Sequence, residues 1–265
     1  MSSEWTWPIN NMAHTHNVTG FWGPVEANHA FCEPHYAVSP YIAEFFNSTS
    51  SLIFMLVALF INFPTDPFIQ VSRVWLLAIG LGSMLFHGTM RYEMQLADEI
   101  PMVGFVTTLM IAKISMPHPW LIGYIGLANA LVIFVALALI GIYVIWDEYE
   151  IFIHGFTLLV IVDSILNVAV WQNKASTKWE KLQTRSHMVG FFAILLGRVA
   201  WESEHYFCVS YPSVWPLHVV WHLLSCTSAY GSMTSTYVMR AKENAKMPRL
   251  IGFLEFSRDK KIHVD

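Results

Sequence analysis

The sequence has 265 residues, of which 55% are hydrophobic and only 13% are charged, and its formal net charge is −4. Soluble domains usually carry about 25% charged residues, so this composition indicates a membrane protein and argues against an ordinary soluble enzyme. The chain has a net negative charge and no long basic block outside its termini, which argues against a nucleic-acid partner.

Polar and aromatic residues, broken by glycines and prolines, fill positions 1–40, which are predicted to form a separate amino-terminal segment. Seven apolar stretches follow, each near the roughly 20 residues that a helix needs to cross a bilayer. The predicted limits are 41–63, 71–90, 97–115, 120–145, 150–172, 186–206 and 215–239. The predicted fold class is therefore all-α, an integral membrane bundle of seven transmembrane helices over residues 41–239.

Basic residues predict how this bundle is oriented. If the amino terminus lies outside, only Arg91 is on the outer side and only Arg198 lies within a helix, so thirteen of the fifteen lysines and arginines are on the inner side. Cytoplasmic loops carry the excess of lysine and arginine in membrane proteins. The amino-terminal segment is therefore predicted to be lumenal or extracellular, and the basic tail, residues 240–265, to be cytosolic.

Five polar residues are predicted to lie at one membrane depth. Ser83 and His87 are one turn apart near the outer end of the second helix, and Asp98 is near the outer end of the third. His218 and His222, also one turn apart, begin the seventh helix on the same side. Polar groups inside apolar helices are costly, so a group of five at one depth indicates a functional site.

Three histidines suit a catalytic zinc ion, because three protein ligands leave the fourth tetrahedral position for water. The His-x₃-His pair offers two ring nitrogens on one helical face, and His87 would supply the third. Asp98 could then accept a proton from the water, and Ser83 could donate to the oxygen that becomes negatively charged. Taken singly, each residue has a simpler interpretation, since Asp98 can cap its helix and Ser83 can bond its own backbone.

The three cysteines and the remaining charged groups allow further predictions. Cys32 and Cys208 both fall on the predicted outer, oxidising side, so a disulfide between them is predicted, with two free thiols as the alternative. Asp163 and Arg198 fall near mid-membrane and are predicted to pair with each other or with Glu202, because an unpaired charge there is expensive. Other polar residues could line an entrance but have no predicted role, namely His154, Glu202, Glu204 and His205.

Around the proposed site the sequence resembles the alkaline ceramidase family, seven-helix enzymes that hydrolyse the amide bond of sphingolipids. The resemblance runs from about residue 21 to about residue 230. The matching pieces are Phe21-Trp22-Gly23-Pro24, Cys32-Glu33, Tyr41-Ile42-Ala43-Glu44-Phe45, Gly82-Ser83, Phe86-His87, Tyr92-Glu93-Met94-Gln95-Leu96, Asp98-Glu99, Pro101-Met102, His218 and Trp221-His222.

This resemblance implies zinc on His87, His218 and His222, with Ser83 and Asp98 assisting catalysis. The implied substrate is a ceramide or a related N-acyl sphingoid base, cleaved to a fatty acid and a sphingosine-type base. The implied location is the membrane of the endoplasmic reticulum or the Golgi apparatus.

One departure from the family pattern concerns calcium. The family typically binds calcium through an Asp-Trp-Cys-Glu-x-Asn run and the glutamate of an Ala-Glu-Phe/Trp motif. Here Glu33 and Glu44 remain, but Ala30 stands where the aspartate would be and His35 where the asparagine would be. Calcium prefers six to eight oxygen ligands. The sequence therefore predicts that a calcium site at Glu33 and Glu44 is greatly weakened.

Three functions fit the sequence. The first is a zinc-dependent lipid amidase with a site inside the membrane. The second is a seven-helix receptor or sensor with a structural zinc ion, which would have no need of a base such as Asp98. The third is a hydrolase of related architecture that acts on another lipid, such as one remodelling lipid-anchored proteins. The run from Met94 to Glu99 favours the first.

Overall fold

The computed structural model describes residues 19–29, 31–60, 66–116, 121–170 and 177–243. These residues form eight α-helices and one 3₁₀ helix, with no β-strand among them, which confirms the all-α prediction. The helices are α1 (Phe45–Ser50), α2 (Leu52–Phe60), α3 (Pro67–Thr89), α4 (Tyr92–Ile114), α5 (Ile125–Trp146), α6 (Tyr149–Val170), α7 (Lys178–Phe207) and α8 (Pro216–Glu243), with the 3₁₀ helix Pro212–Val214 before α8.

Three of these helices are long and apolar enough to cross a membrane, namely α3, α5 and residues Tyr149–Ala169 of α6. Helices α1 and α2 together form a shorter apolar unit, Phe45–Phe60, with a break at Ser51. Helices α4, α7 and α8 are as long as α3 or longer, but they carry more polar side chains. The sequence predicted the first helix as one span of 41–63; residues 61–65 lie outside the described residues.

Capping residues explain where two helices begin. The Asp66 carboxylate accepts hydrogen bonds from the backbone N–H groups of Phe68 and Ile69, so α3 begins four residues before the predicted limit. Thr177 and Glu180 form a reciprocal capping box at the start of α7, eight residues before its predicted limit. Polar residues cap both helices, so limits drawn around the apolar stretches place the starts of these helices too late.

Glycines allow two helix pairs to approach closely. A side chain at Gly82 of α3 would collide with the carbonyl of Ala97 in α4, which places Ser83 beside Asp98. A Cβ atom at Gly231 of α8 would lie 2.6 Å from the carbonyl oxygen of Ser186 in α7. These contacts bring the polar residues of neighbouring helices to a common level.

The amino-terminal segment covers the carboxyl end of α3. The N–H groups of Glu26 and Ala27 donate to the carbonyl of Met90 over 3.0 and 3.1 Å, and just after the segment the N–H of Glu44 donates to the carbonyl of His87 over 2.8 Å. Residues 1–18, Ala30 and the tail from residue 244 onward lie outside the described residues.

The predicted pairing of Asp163 with Arg198 is wrong. Asp163 in α6 instead pairs with Lys113 in the last turn of α4, with Nζ and Oδ1 2.6 Å apart. Lys113 is fully buried, so it does not belong to an inner loop as the orientation argument assumed. Arg198 pairs with Glu202, the alternative partner, one turn further along α7.

Candidate active site

Three histidines from two helices converge inside the bundle. His87 lies in the last turn of α3, and His218 and His222 lie in the first two turns of α8. All three are almost completely buried. One ligand nitrogen from each ring lies within 4.8 Å of the other two, a spacing that can hold a metal ion.

Two glutamates orient two of the histidines. The Nδ1 atom of His87 lies 2.6 Å from Oε2 of Glu44, and Nδ1 of His218 lies 3.1 Å from Oε2 of Glu204. An ionised carboxylate can only accept a hydrogen bond. A ring that donates its Nδ1–H to such a carboxylate keeps its lone pair on Nε2.

A hydroxyl group orients the third histidine. The Nδ1 atom of His222 lies 2.7 Å from Oγ of Ser50, and that hydroxyl donates its single hydrogen to the carbonyl of Asn47 over 3.0 Å. The Ser50 oxygen must therefore accept from His222 Nδ1–H. With Nδ1 as the donor in all three contacts, the three histidines share one tautomer, which leaves Nε2 available as a ligand.

This arrangement fits a metal ion by the chemistry of its donors. Ligating histidines almost always donate their other ring N–H to a carboxylate, a carbonyl or another acceptor, which fixes the ring and raises its basicity. Here every ring has such a partner on Nδ1. Among the described residues, the histidine triad is the one cluster of potential metal ligands found.

Ser83 and Asp98, the two predicted catalytic residues, line the same cavity as the histidines. The Ser83 hydroxyl lies 2.9 Å from the hydroxyl of Ser51 and interacts with the side chain of Asp98. Glu99 also lines this cavity, although it is the next residue after Asp98 and therefore points in another direction from the helix axis. Tyr143 donates a hydrogen bond to the Glu99 carboxylate, which anchors this second acid to α5.

The predicted calcium residues are held by protein hydrogen bonds instead. The two oxygens of Glu33 accept from the backbone N–H groups of Phe46 and Asn47, over 2.7 and 2.8 Å. Each donor takes up one lone-pair position of the carboxylate. Burial also raises the pKa of Glu33 to about 7, against the opposing effect of these two bonds, which makes it a poorer anionic ligand.

Each carboxylate oxygen of Glu44 contacts two groups of the protein. Its Oε1 atom contacts Nε2 of His35 at 3.2 Å and accepts from the N–H of Phe31 at 3.3 Å. Its Oε2 atom accepts from Nδ2 of Asn47 at 3.1 Å as well as from His87. The imidazole nitrogen of His35 contacts the Glu44 carboxylate at the position where the family has an asparagine oxygen. These residues therefore do not fit a calcium ion.

Cys32 and Cys208, predicted as a bridge, are paired in the structure, with Cα atoms 5.5 Å apart. The same region has a polar contact, because the N–H of Cys32 donates to Oε1 of Glu204 over 2.9 Å. Glu204 therefore joins the amino-terminal segment to His218. Cys226 is a buried free cysteine in α8.

Sequence reasoning missed the outer partners of the histidines. Glu204 had no predicted role, Ser50 was not considered, and Glu44 was assigned to calcium. The signal available for Glu204 was its burial cost, because an acid inside an apolar helix needs a partner. Nothing in the local sequence indicates that this partner is His218, which lies on another helix.

The fold and site define a helical membrane protein with a buried cluster of three histidines that could hold a metal ion. Comparison with known proteins identifies the family, because the ceramidase family model matches residues 23–259. The chain therefore belongs to the ceramidase family.

Several characterised relatives agree with this assignment. An alkaline ceramidase from Arabidopsis thaliana is 26% identical over 89% of this chain and 93% of its own length. Human alkaline ceramidase 1 is 25% identical over 82% of this chain and 84% of its own length. Mouse alkaline ceramidase 3 is 37% identical, over 32% of this chain and 33% of its own length.

Proposed function

We propose that this protein is a zinc-dependent ceramidase that hydrolyses the amide bond of ceramide-type lipids to a sphingoid base and a free fatty acid. The observation that carries the proposal is the convergence of the three buried histidines, whose ligand nitrogens lie within 4.8 Å of one another and whose Nδ1 atoms each contact an outer partner. Family membership and the names of the relatives support the substrate class.

His87, His218 and His222 would hold the zinc ion, while Glu44, Glu204 and Ser50 keep the three rings in position. When bound at such a site, zinc lowers the pKa of a bound water to about 7 and polarises a carbonyl group.

Asp98 and Ser83 supply the proton transfers and charge stabilisation. Asp98 would take a proton from the attacking water and return it to the leaving amine nitrogen, as a general base and then a general acid. Ser83 is placed to donate a hydrogen bond to the carbonyl oxygen as negative charge develops on it. Their mutual contact would keep the two groups oriented before substrate enters.

We further propose that the bundle crosses the membrane seven times, with α1 and α2 as one span and α3 to α8 as the other six. The amino-terminal segment would be lumenal and the tail cytosolic, in the endoplasmic reticulum or Golgi membrane. Support comes from the three helices of membrane-spanning length and composition and from the positive-inside pattern of the sequence.

The test uses purified full-length protein in detergent and a ceramide substrate, with both products quantified by mass spectrometry. Hydrolysis should disappear when zinc is chelated and return when zinc, but not calcium, is added back. Zinc bound tightly without hydrolysis of any ceramide would favour the receptor or sensor alternative. Hydrolysis of other lipid amides or esters in preference to ceramide would favour the related-hydrolase alternative.

A further inference from the structure

The cavity that contains the histidines continues along the bundle past the catalytic residues. On α4 the lining residues Asp98, Met102, Phe105, Val106 and Leu109 recur at helical spacing, so they form one face of the helix. On α6 the corresponding face runs through Phe152, Ile153, Phe156 and Val160. The walls that α4 and α6 contribute are apolar and suit an alkyl chain, while α8 adds the hydroxyl groups of Ser225, Ser228 and Ser232.

This apolar face ends at a charged pair. Lys113 is the next residue on the α4 face after Leu109, and Asp163 is the next on the α6 face after Val160. Their ion pair, at 2.6 Å, combines a fully buried lysine with a carboxylate whose side chain is 11% exposed. Asp163 lines the end of the cavity together with Ser164 and His187.

We propose that the Lys113–Asp163 ion pair closes the inner end of the cavity and limits the length of the substrate's alkyl chain. This inference rests on the proposed function, since it assigns the apolar part of the same cavity to a lipid chain. A methylene chain that reaches the pair would have to displace or desolvate a buried ion pair, and breaking such a pair is strongly unfavourable.

Helix geometry gives the length of the tunnel. Tyr149 and Asp163 both line the cavity and are 14 residues apart on α6, which corresponds to about 21 Å at about 1.5 Å per residue. His187 and Trp201 are 14 residues apart on α7, or about 21 Å, and both line the cavity. Two separate helices therefore give the same depth.

That depth converts to a chain length. An extended alkyl chain advances roughly 1.3 Å per carbon for C–C bonds of about 1.5 Å, so the tunnel accommodates about 16 carbons. Chains near this length fill the apolar wall, and longer chains meet the ion pair.

The experiment measures kcat/KM on two ceramide series, one with the acyl chain and one with the sphingoid chain varied, from roughly half to roughly one and a half times this limit. Wild-type kcat/KM should fall by about tenfold or more once one of the two chains exceeds the limit. The double variant Lys113→Met with Asp163→Leu removes both charges together and should shift that limit to longer chains.

A second variant, Ser164→Leu, adds volume at the same end of the cavity and should shift the limit to shorter chains. It keeps the proposal testable if the double variant does not fold. The matched control is another largely buried ion pair, Arg240 with Asp66, at 2.8 Å, neither of which is among the cavity-lining residues. Arg240→Met with Asp66→Asn should leave the chain-length profile unchanged.

Two failures are distinguishable. If the wild type hydrolyses no ceramide of any length, the proposed function fails and this inference with it. If the wild type hydrolyses ceramides but both tunnel variants keep its chain-length profile, only the inference about the ion pair is overturned.

Discussion

Two buried clusters of polar side chains in this bundle differ in how their atoms are satisfied by hydrogen bonds within the protein. The cluster of Asn167, Gln183 and Ser235 joins α6, α7 and α8, and its members bond one another at 3.0 Å. The histidine triad joins α3 and α8, and the Nδ1 atom of each ring contacts a side chain outside the triad. One ring nitrogen from each histidine of the triad lies within 4.8 Å of the other two.

This difference separates a structural polar group from a functional one. Buried polar side chains are costly unless satisfied, and the Asn-Gln-Ser cluster satisfies its members internally. The triad has protein partners on its outer side, and its inner side lines the cavity, where the three histidines could hold a metal ion. The surrounding carboxylates and the hydroxyl then orient the rings rather than replace that ion.

Removing one member of each group gives the largest contrast. His218→Ala should lose zinc and reduce ceramide hydrolysis to background, because two remaining histidines do not make a catalytic zinc site. Gln183→Ala should lower the free energy of unfolding but keep both zinc and activity. Metal analysis and product quantification on both purified variants check this, and zinc retained by His218→Ala would contradict the assignment.

Changing the residues beside the metal should affect the reaction but not the metal. Asp98→Asn should reduce kcat by about 10²–10⁴-fold through loss of proton transfer. Ser83→Ala should reduce it by about 10²–10³-fold through loss of a hydrogen bond to the developing oxyanion. Zinc content should equal that of the wild type. Loss of zinc in either variant would make that residue part of the scaffold instead.

The outer partners should have an intermediate effect. Glu204→Gln should weaken zinc binding by about 10–100-fold, the usual result of removing an outer partner of a ligating histidine. Excess zinc should restore much of the lost activity. The control is Glu202→Gln, two residues away on the same helix, whose carboxylate pairs with Arg198 and not with a histidine. Equal zinc affinity in the two variants would remove Glu204 from the site.

The cysteine pair should contribute stability and little else. If Cys32 and Cys208 form a disulfide, closing a loop between residues 176 positions apart stabilises the fold by about 2–4 kcal/mol. Cys208→Ser should lower the thermal unfolding midpoint, and a reductant should lower it in the wild type but not in this variant. Alkylation of both cysteines in native, non-reduced membranes would refute the bridge.

Calcium should have the smallest effect of all. The carboxylate oxygens of Glu33 and Glu44 accept hydrogen bonds from protein donors, so a calcium-selective chelator should leave hydrolysis and unfolding temperature unchanged. A loss of activity that calcium restores would show that the residues bind the ion despite His35.

Patterns along the chain predicted much of this arrangement. Helical character follows from apolar stretches of membrane-spanning length, and the common depth of the three histidines follows from their places near helix ends. The i, i+4 spacing of His218 and His222 specifies that they share a face whatever the helix packs against. These features depend on position within one helix, so the sequence contains them.

Features that depend on helix rotation could not be predicted. Lys113 lies close to a helix end, where a loop and a buried last turn have similar compositions. Its contact with Asp163 depends on how α4 faces α6, as the contact of Glu204 with His218 depends on how α7 faces α8. Gly82 and Gly231 set those approaches, but a glycine in a sequence does not say which helix it meets.

Zinc K-edge X-ray absorption on the purified protein tests most directly whether the three histidines hold a catalytic zinc ion, because it reports the ligands of the metal. If the three histidines hold a catalytic zinc ion, the spectrum should show about three imidazole nitrogens at about 2.0–2.1 Å. One further light-atom ligand should occupy the open position of the site. A sulfur ligand near 2.3 Å, or a fourth imidazole that closes the site, would contradict it.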